Sequence, residues 1–330
     1  MLSIINSEIA RQTILRRVPL GDEDAPASVL DRIEMIFGER ITPQTAVSRI
    51  LRDIRTQGDK ALHAWTEKLD GKTPDIFRVP VSSLRAALDS ISAEQRTALE
   101  LSAKRIETFY KKQPLTSWIT QDMGGVMGQL IRPIKRVGLY IPGGTAPLPS
   151  SVLMSAVPAK VAGVKEIVLA VPPQRGTGEI APIILAAAAL VGVDEVYTMG
   201  GAQAIGALAY GTESIPAVDK IFGPGNLFVT LAKKQVFGTV GIDGLAGPTE
   251  TVVIADDSAN PAWVASDLLA QAEHDVLASA ILLTPSRQLA EAVQVEVSRQ
   301  METLPRAEIV AQSLQNKSGI GLTKDLDEAV

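Results

Sequence analysis

Three glycine-rich turns concentrate the residues of this sequence that could do chemistry. Tyr140-Ile141-Pro142-Gly143-Gly144 ends an apolar run, and Ser150-Ser151 open an Ala-rich stretch soon after. Gly200-Gly201-Ala202-Gln203-Ala204 and Gly223-Pro224-Gly225-Asn226 end two further apolar runs in the same way. Glycine lets a backbone approach a ligand closely, and the free amides at a helix start favour anions. Gln203 falls in the first turn of a helix, and Asn226 falls where a helix cap belongs. If the apolar runs are strands of one parallel sheet, the turns converge on its carboxyl edge, where open parallel sheets bind ligands. Neither a G-x-G-x-x-G fingerprint nor a G-x-x-x-x-G-K-S/T phosphate loop is present. Taken singly, each turn is equally well explained as a tight strand-to-helix connection with serine or asparagine caps.

A different chemistry is open to Gln271-Ala272-Glu273-His274. Asp267, Gln271 and His274 are four and three residues apart and so share one helix face. An imidazole and an amide oxygen can both ligate a divalent metal, although zinc wants at least three protein groups. A polar helix end, with His274 where the helix dipole favours a cation, accounts for the same residues. Thr249 and Glu250, within Ala246-Gly247-Pro248-Thr249-Glu250-Thr251, place a hydroxyl and a carboxylate just before another strand. Imidazole chemistry must use His63 or His274, the only two histidines, and His63 reads as a structural residue of a helix. The sequence contains no cysteine, which excludes a thiol nucleophile, a disulfide and cysteine-held zinc.

The elements that must position these groups fall into two textures. The 330 residues suffice for two domains, and 46% hydrophobic with 21% charged residues is ordinary for a folded protein. With only 4% aromatics the cores must be aliphatic, which suits helices on buried parallel sheets. Residues 28–113 follow helical spacing, for example Val47, Ile50, Leu51 and Ile54, with caps expected at Thr42 and Ser92. From Ile134 onward strands alternate with helices. Strands are expected at Val137–Ile141, Glu166–Val171, Glu195–Met199 and Asp219–Phe222, and helices at Ser151–Ala162, Ile180–Val191, Ala202–Tyr210 and Leu227–Val236. A second alternation starts at Thr251, with strands at Val252–Ala255 and Ser279–Leu283 and helices at Pro261–Glu273 and Arg287–Met301. Asp325 and Glu328 mark a last helix start, so the chain reads as cut rather than finished. The net charge of −5, without a basic stripe, argues against nucleic acid. No apolar stretch reaches the ~20 residues of a membrane helix, and Met1 to Arg17 lacks a signal-peptide core, so a cytoplasmic location is expected.

In this order the motifs resemble histidinol dehydrogenases over essentially the whole chain, most specifically from Val137 to Leu283. The resemblance implies two incomplete Rossmann-like α/β domains with parallel sheets, related to the aldehyde dehydrogenase-like fold, behind a helical N-terminal region. With the change of texture it suggests an N-terminal arm at 1–20, a discontinuous first domain of 21–135 with 251–330, and a second domain inserted at 136–250. It implies oxidation of L-histidinol to L-histidine through the aldehyde by two NAD+, with zinc gripping the substrate, in a homodimer. Tyr140, Gln203 and Asn226 match NAD-contacting positions; Gln271 and His274 match zinc ligands that also face the substrate; Thr249 matches a substrate-contacting position that is often serine. The family's catalytic Glu-His pair, a zinc-binding Asp and a last zinc-binding His lie further along than Val330, so no catalytic base is expected within these residues and the chain as written is expected to be inactive. Two other readings compete: a non-catalytic remnant with an NAD or imidazole pocket, and an oxidoreductase for another amino alcohol.

Overall fold

A computed structural model describes residues 2–16, 25, 27–122, 124–143, 147–174, 176–193, 195–246 and 249–330. The chain divides into two compact units, Met1–Glu23 with Ala246–Val330, and Asp24–Leu245.

The first unit begins with strand β1 (Ile4–Asn6) and helix α1 (Ser7–Gln12).

The second unit opens with helices α2 (Ala27–Phe37), α3 (Pro43–Asp70), α4 (Val81–Ser90) and α5 (Ala93–Tyr110). A short antiparallel pair follows, β2 (Trp118–Thr120) with β3 (Met127–Gln129). The alternating part comprises β4 (Arg136–Tyr140), α6 (Pro149–Val161), β5 (Glu166–Val171), α7 (Pro182–Leu190), β6 (Glu195–Thr198), α8 (Gly201–Tyr210), β7 (Lys220–Phe222), α9 (Leu227–Val236) and β8 (Gly241–Ile242). Its strands form one parallel sheet in the order β6-β5-β4-β7-β8. All of β4 is buried, as continuous apolar strands covered on both faces must be.

The first unit then resumes with β9 (Glu250–Ile254), α10 (Pro261–Ala272), β10 (Ser279–Thr284), α11 (Arg287–Met301), α12 (Ala307–Asn316), β11 (Gly319–Leu322) and α13 (Leu326–Ala329). Its sheet is also parallel, in the order β1-β11-β10-β9. Both sheets bear out the expected parallel, Rossmann-like α/β class, and the helical region at 28–113 is present as α2 to α5.

The two compact units divide the chain at bounds other than those expected for the domains. The stretch expected as an N-terminal arm instead supplies the edge strand β1, in register with β11 from Ile4↔Ile320 to Asn6↔Leu322. The helices of 28–113 cover the five-stranded unit, where α3 packs on α8 and α9, α4 on α7, and α5 on α6. The reason is visible in α7 (PIILAAAAL) and α8 (GAQAIGALAY), which are apolar nearly all round and need cover on their outer faces. Leu84 of α4 and Leu99 of α5 share one core with Val137, Leu139 and Leu169 of the sheet. At Gly206 a Cβ would meet Leu51 at 3.1 Å and Ile54 at 3.3 Å, so α3 rests on α8 at near-backbone distance.

Charges gather at the amino end of the same sheet. Arg136 opens β4 and bonds Glu166 at 3.1 Å and Glu195 at 2.9 Å, at the starts of β5 and β6, while the Tyr197 hydroxyl donates to Glu195 at 2.8 Å. Burial pushes the Glu195 carboxyl upward, but hydrogen bonds from Arg136 and Tyr197 and the Arg136 charge outweigh it and hold it below the usual glutamate value of 4.5. A depressed carboxyl stabilises the fold above its unfolded pKa, and the contribution disappears as pH falls through the folded value. Glu195→Gln should therefore destabilise the protein at pH 7, with the gap from the unaltered chain closing as pH falls below about 4. Urea melts at pH 7 and pH 3.5 measure this, and a gap that widens in acid would contradict it. Arg136→Met, which strands Glu195, should cost about 3 kcal/mol at neutral pH.

Candidate functional site

Strand order decides where a ligand can sit. The chain leaves β4 toward β5 and β6 on one side, then returns to build β7 and β8 on the other. The reversal falls between neighbouring β4 and β7, and such switch points open a crevice at the carboxyl ends of the strands. Tyr140 ends β4 and Phe222 ends β7, with Leu139 paired to Phe222, so Tyr140 stands beside Gly223. At Gly223 φ is +119°, and a Cβ there would lie 2.1 Å from the Tyr140 carbonyl oxygen. Only glycine fits that approach and that backbone angle.

The sequence-derived residues Tyr140, Gln203 and Asn226 thus lie at one carboxyl edge, but not alike. Asn226 is exposed and caps α9, its Oδ1 accepting from the amides of Phe228 at 3.1 Å and Val229 at 3.2 Å. Tyr140 is 5% exposed and its hydroxyl accepts from the Gly201 amide at 3.2 Å. Burial, with the nearby Asp70 charge added, pushes its phenol up to about 12 against the opposing bond from Gly201. Tyr140 therefore stays protonated at neutral pH and is an orienting group, not a base. Gln203 is fully buried; its Nε2 donates to Asp70 Oδ2 at 3.3 Å, while its Oε1 is buried without a partner. Tyr140 thus holds the Gly200-Gly201 turn by the Gly201 amide, while Gln203, in the first turn of α8, is bonded to Asp70 at the end of α3. This arrangement fits a dinucleotide lying over glycine backbone at a sheet edge. Gly144 lies outside the described residues.

Asp70, Lys233 and Asp243 escaped the reading of the sequence. Asp70 ends α3, and only the packing of α3 on α8 brings it to Gln203. Lys233 did carry a signal: it lies on the buried side of α9 with Val229, Thr230 and Val236, an unusual place for an ammonium.

In the other unit, Gln271 is tied at both ends of its amide. Its Nε2 donates to the Thr249 carbonyl at 2.7 Å, and its Oε1 accepts from the Thr251 hydroxyl at 2.9 Å. Thr249 is itself exposed. An open groove beside these groups is lined by Thr251, Val252, Asp267 and Gln271. His274 is exposed but not on the helix, which ends at Ala272 rather than Glu273. The helix stops because Asp275 accepts the Leu277 amide at 2.9 Å and closes a turn there. Among the described residues no three His, Asp or Glu side chains gather as a metal centre. Gln271 and His274 alone do not make a complete zinc site. His63 shares a 2.9 Å hydrogen bond with Thr73 and packs on Phe77, as a structural residue should.

Parallel α/β sheets, one with glycine turns around its switch point, define a Rossmann-like α/β class. The family model for histidinol dehydrogenase matches residues 39–330. The chain is 50% identical over 307 residues to the histidinol dehydrogenase of Deinococcus radiodurans, covering 92% of this chain and 70% of that one. It is 50% identical over 290 residues to that of Nitrosospira multiformis, covering 87% and 66%. A crystal structure of histidinol dehydrogenase from Elizabethkingia anophelis superposes with a TM-score of 0.85 at 37% identity, over 99% of this chain and 72% of that one. The chain belongs to the histidinol dehydrogenase family, and it spans about two thirds of the length of those curated relatives.

Proposed function

We propose that these residues form the NAD+-binding and substrate-gripping part of an enzyme that oxidises L-histidinol to L-histidine in the cytoplasm, as a homodimer. The observation that carries this reading is the 50% identity over 307 residues to a histidinol dehydrogenase, with the glycine turns at one sheet edge. The alcohol carbon gives a hydride and its hydroxyl a proton; the aldehyde adds water and gives a second hydride, leaving a carboxylate. Two molecules of NAD+, bound in succession, would each accept one hydride. Tyr140 holds the Gly201 amide beneath the nucleotide, Gln203 ties the start of the following helix to Asp70, and Asn226 presents its exposed side chain at the carboxyl edge of the sheet.

Thr249, Gln271 and His274 form the substrate side of this proposal. Gln271, already fixed by Thr249 and Thr251, keeps one carbonyl lone pair for a metal, and His274 offers an exposed imidazole. Zinc, once further donors complete its site, supplies a Lewis acid that fixes the amino alcohol. The test is histidinol oxidation by a chain extended to its relatives' full length, in which two NADH should form per histidine. No oxidation of histidinol would overturn the reading. In that extended chain, His274→Ala should lose bound zinc and activity together. Gln271→Ala should lose less metal, since an amide oxygen is a weaker zinc donor than imidazole. Metal analysis after gel filtration measures both, and stoichiometric zinc in His274→Ala would exclude it as a ligand.

A further inference from the structure

We propose that Lys233 and Asp243 are positioning residues for the nucleotide, an ionic clamp that sets the backbone of the Gly223-Pro224-Gly225-Asn226 turn. The proposal rests on the reading of that turn as part of the NAD+ site. Lys233 is 3% exposed, on the core side of α9. Its ammonium donates to the Gly223 carbonyl at 2.9 Å and pairs with Asp243. The other Asp243 oxygen accepts the Gly223 amide at 2.8 Å. One ion pair therefore holds both the N–H and the C=O of a single glycine, the one at φ +119° against Tyr140.

Fixing both groups fixes the two peptide planes that meet at Gly223, and with them the exit of the turn toward Asn226. Stability alone does not call for such a device. A buried ion pair is commonly replaced by apolar residues with no loss, because desolvation consumes most of its attraction. What an apolar pair cannot do is bond two backbone groups of one residue. Asp243 also accepts the Gly244 amide at 2.8 Å, which anchors the carboxylate just beyond β8. The clamp thus ties α9 and the end of β8 to the switch point.

The distinction from a purely structural role is experimental. NAD+ affinity of the purified 330-residue chain is measured by calorimetry, with melting temperature in parallel. Lys233→Met should weaken NAD+ about tenfold or more, because a displaced turn misplaces its contacts. Asp243→Asn, which keeps an acceptor for the Gly223 amide, should lose less. The double variant Lys233→Met with Asp243→Leu should regain part of the melting temperature lost in Lys233→Met, since no charge is left stranded, yet stay weak for NAD+. Recovery of both stability and affinity in the double variant would reduce the pair to a packing role and overturn the proposal. Unchanged affinity in Lys233→Met overturns it while leaving the site reading intact. No NAD+ binding by the unaltered chain overturns the site reading itself, and the clamp with it.

Discussion

A polypeptide limited to these 330 residues is expected to form no measurable NADH from L-histidinol, with NAD+ and zinc in excess, while a version extended to the full length of its relatives turns over. Two losses combine. Gln271 and His274 supply two metal donors where a catalytic zinc has three or more, so the proposed grip on the substrate is incomplete. The resemblance places the proton-accepting Glu-His pair outside these residues, and a positioned base contributes about 10²–10⁴-fold. The one other histidine, His63, is engaged with Thr73 and Phe77 in the other unit. Tyr140, held protonated up to about 12, offers no substitute base. The expected deficit is on the order of 10⁴-fold or more in kcat/KM. Comparable rates for the two versions would show that a group within these residues serves as base and that the roles proposed for the site are wrong.

The second large effect is expected at Gly223. Alanine there meets two obstacles at once: a φ of +119°, and the Tyr140 carbonyl oxygen 2.1 Å from the new Cβ. The obstructing atom belongs to the backbone of a fully buried strand, so it has nowhere to go. Strain and displacement together should cost about 3 kcal/mol or more, and NAD+ binding should be lost with the turn. Gly244→Ala is the control. Nothing lies within 4 Å of its Cβ position, so its effect should stay within about 0.5 kcal/mol. Denaturant midpoints of the two variants settle the comparison, and near-equal stability would mean that β4 and β7 do not meet as described.

How much of this was legible depended on how local each signal is. The bounds of Leu227–Val236 and Arg287–Met301 match the sequence reading because Asn226 and Ser286 cap those helices with their own side chains. Glu166–Val171 was equally plain, as a buried apolar run between turns. At the chain's last helix, Asp325 accepts the Glu328 amide as expected. The destination of α3 to α5 was hidden, because an amphipathic helix announces which face it buries but not against what. The apolar circumference of α8 was the overlooked clue. Gln203 was read as a residue open to the ligand, yet it points at Asp70, 133 positions away. His274 left the helix because of Asp275, a turn former one residue beyond the motif. The Lys233–Asp243 pair joins residues 10 apart through the sheet, and no spacing rule finds such a pair.

The most direct test of the central claim, that the crevice at the carboxyl edge of the five-stranded sheet takes NAD+, is an amide-resolved titration of the deuterated chain. Adding NAD+ should move the amides of Gly200, Gly201, Gly223, Gly225 and Asn226, with those of β10 and β11 unmoved. Binding that leaves these five amides in place and shifts residues 279–322 instead would contradict it.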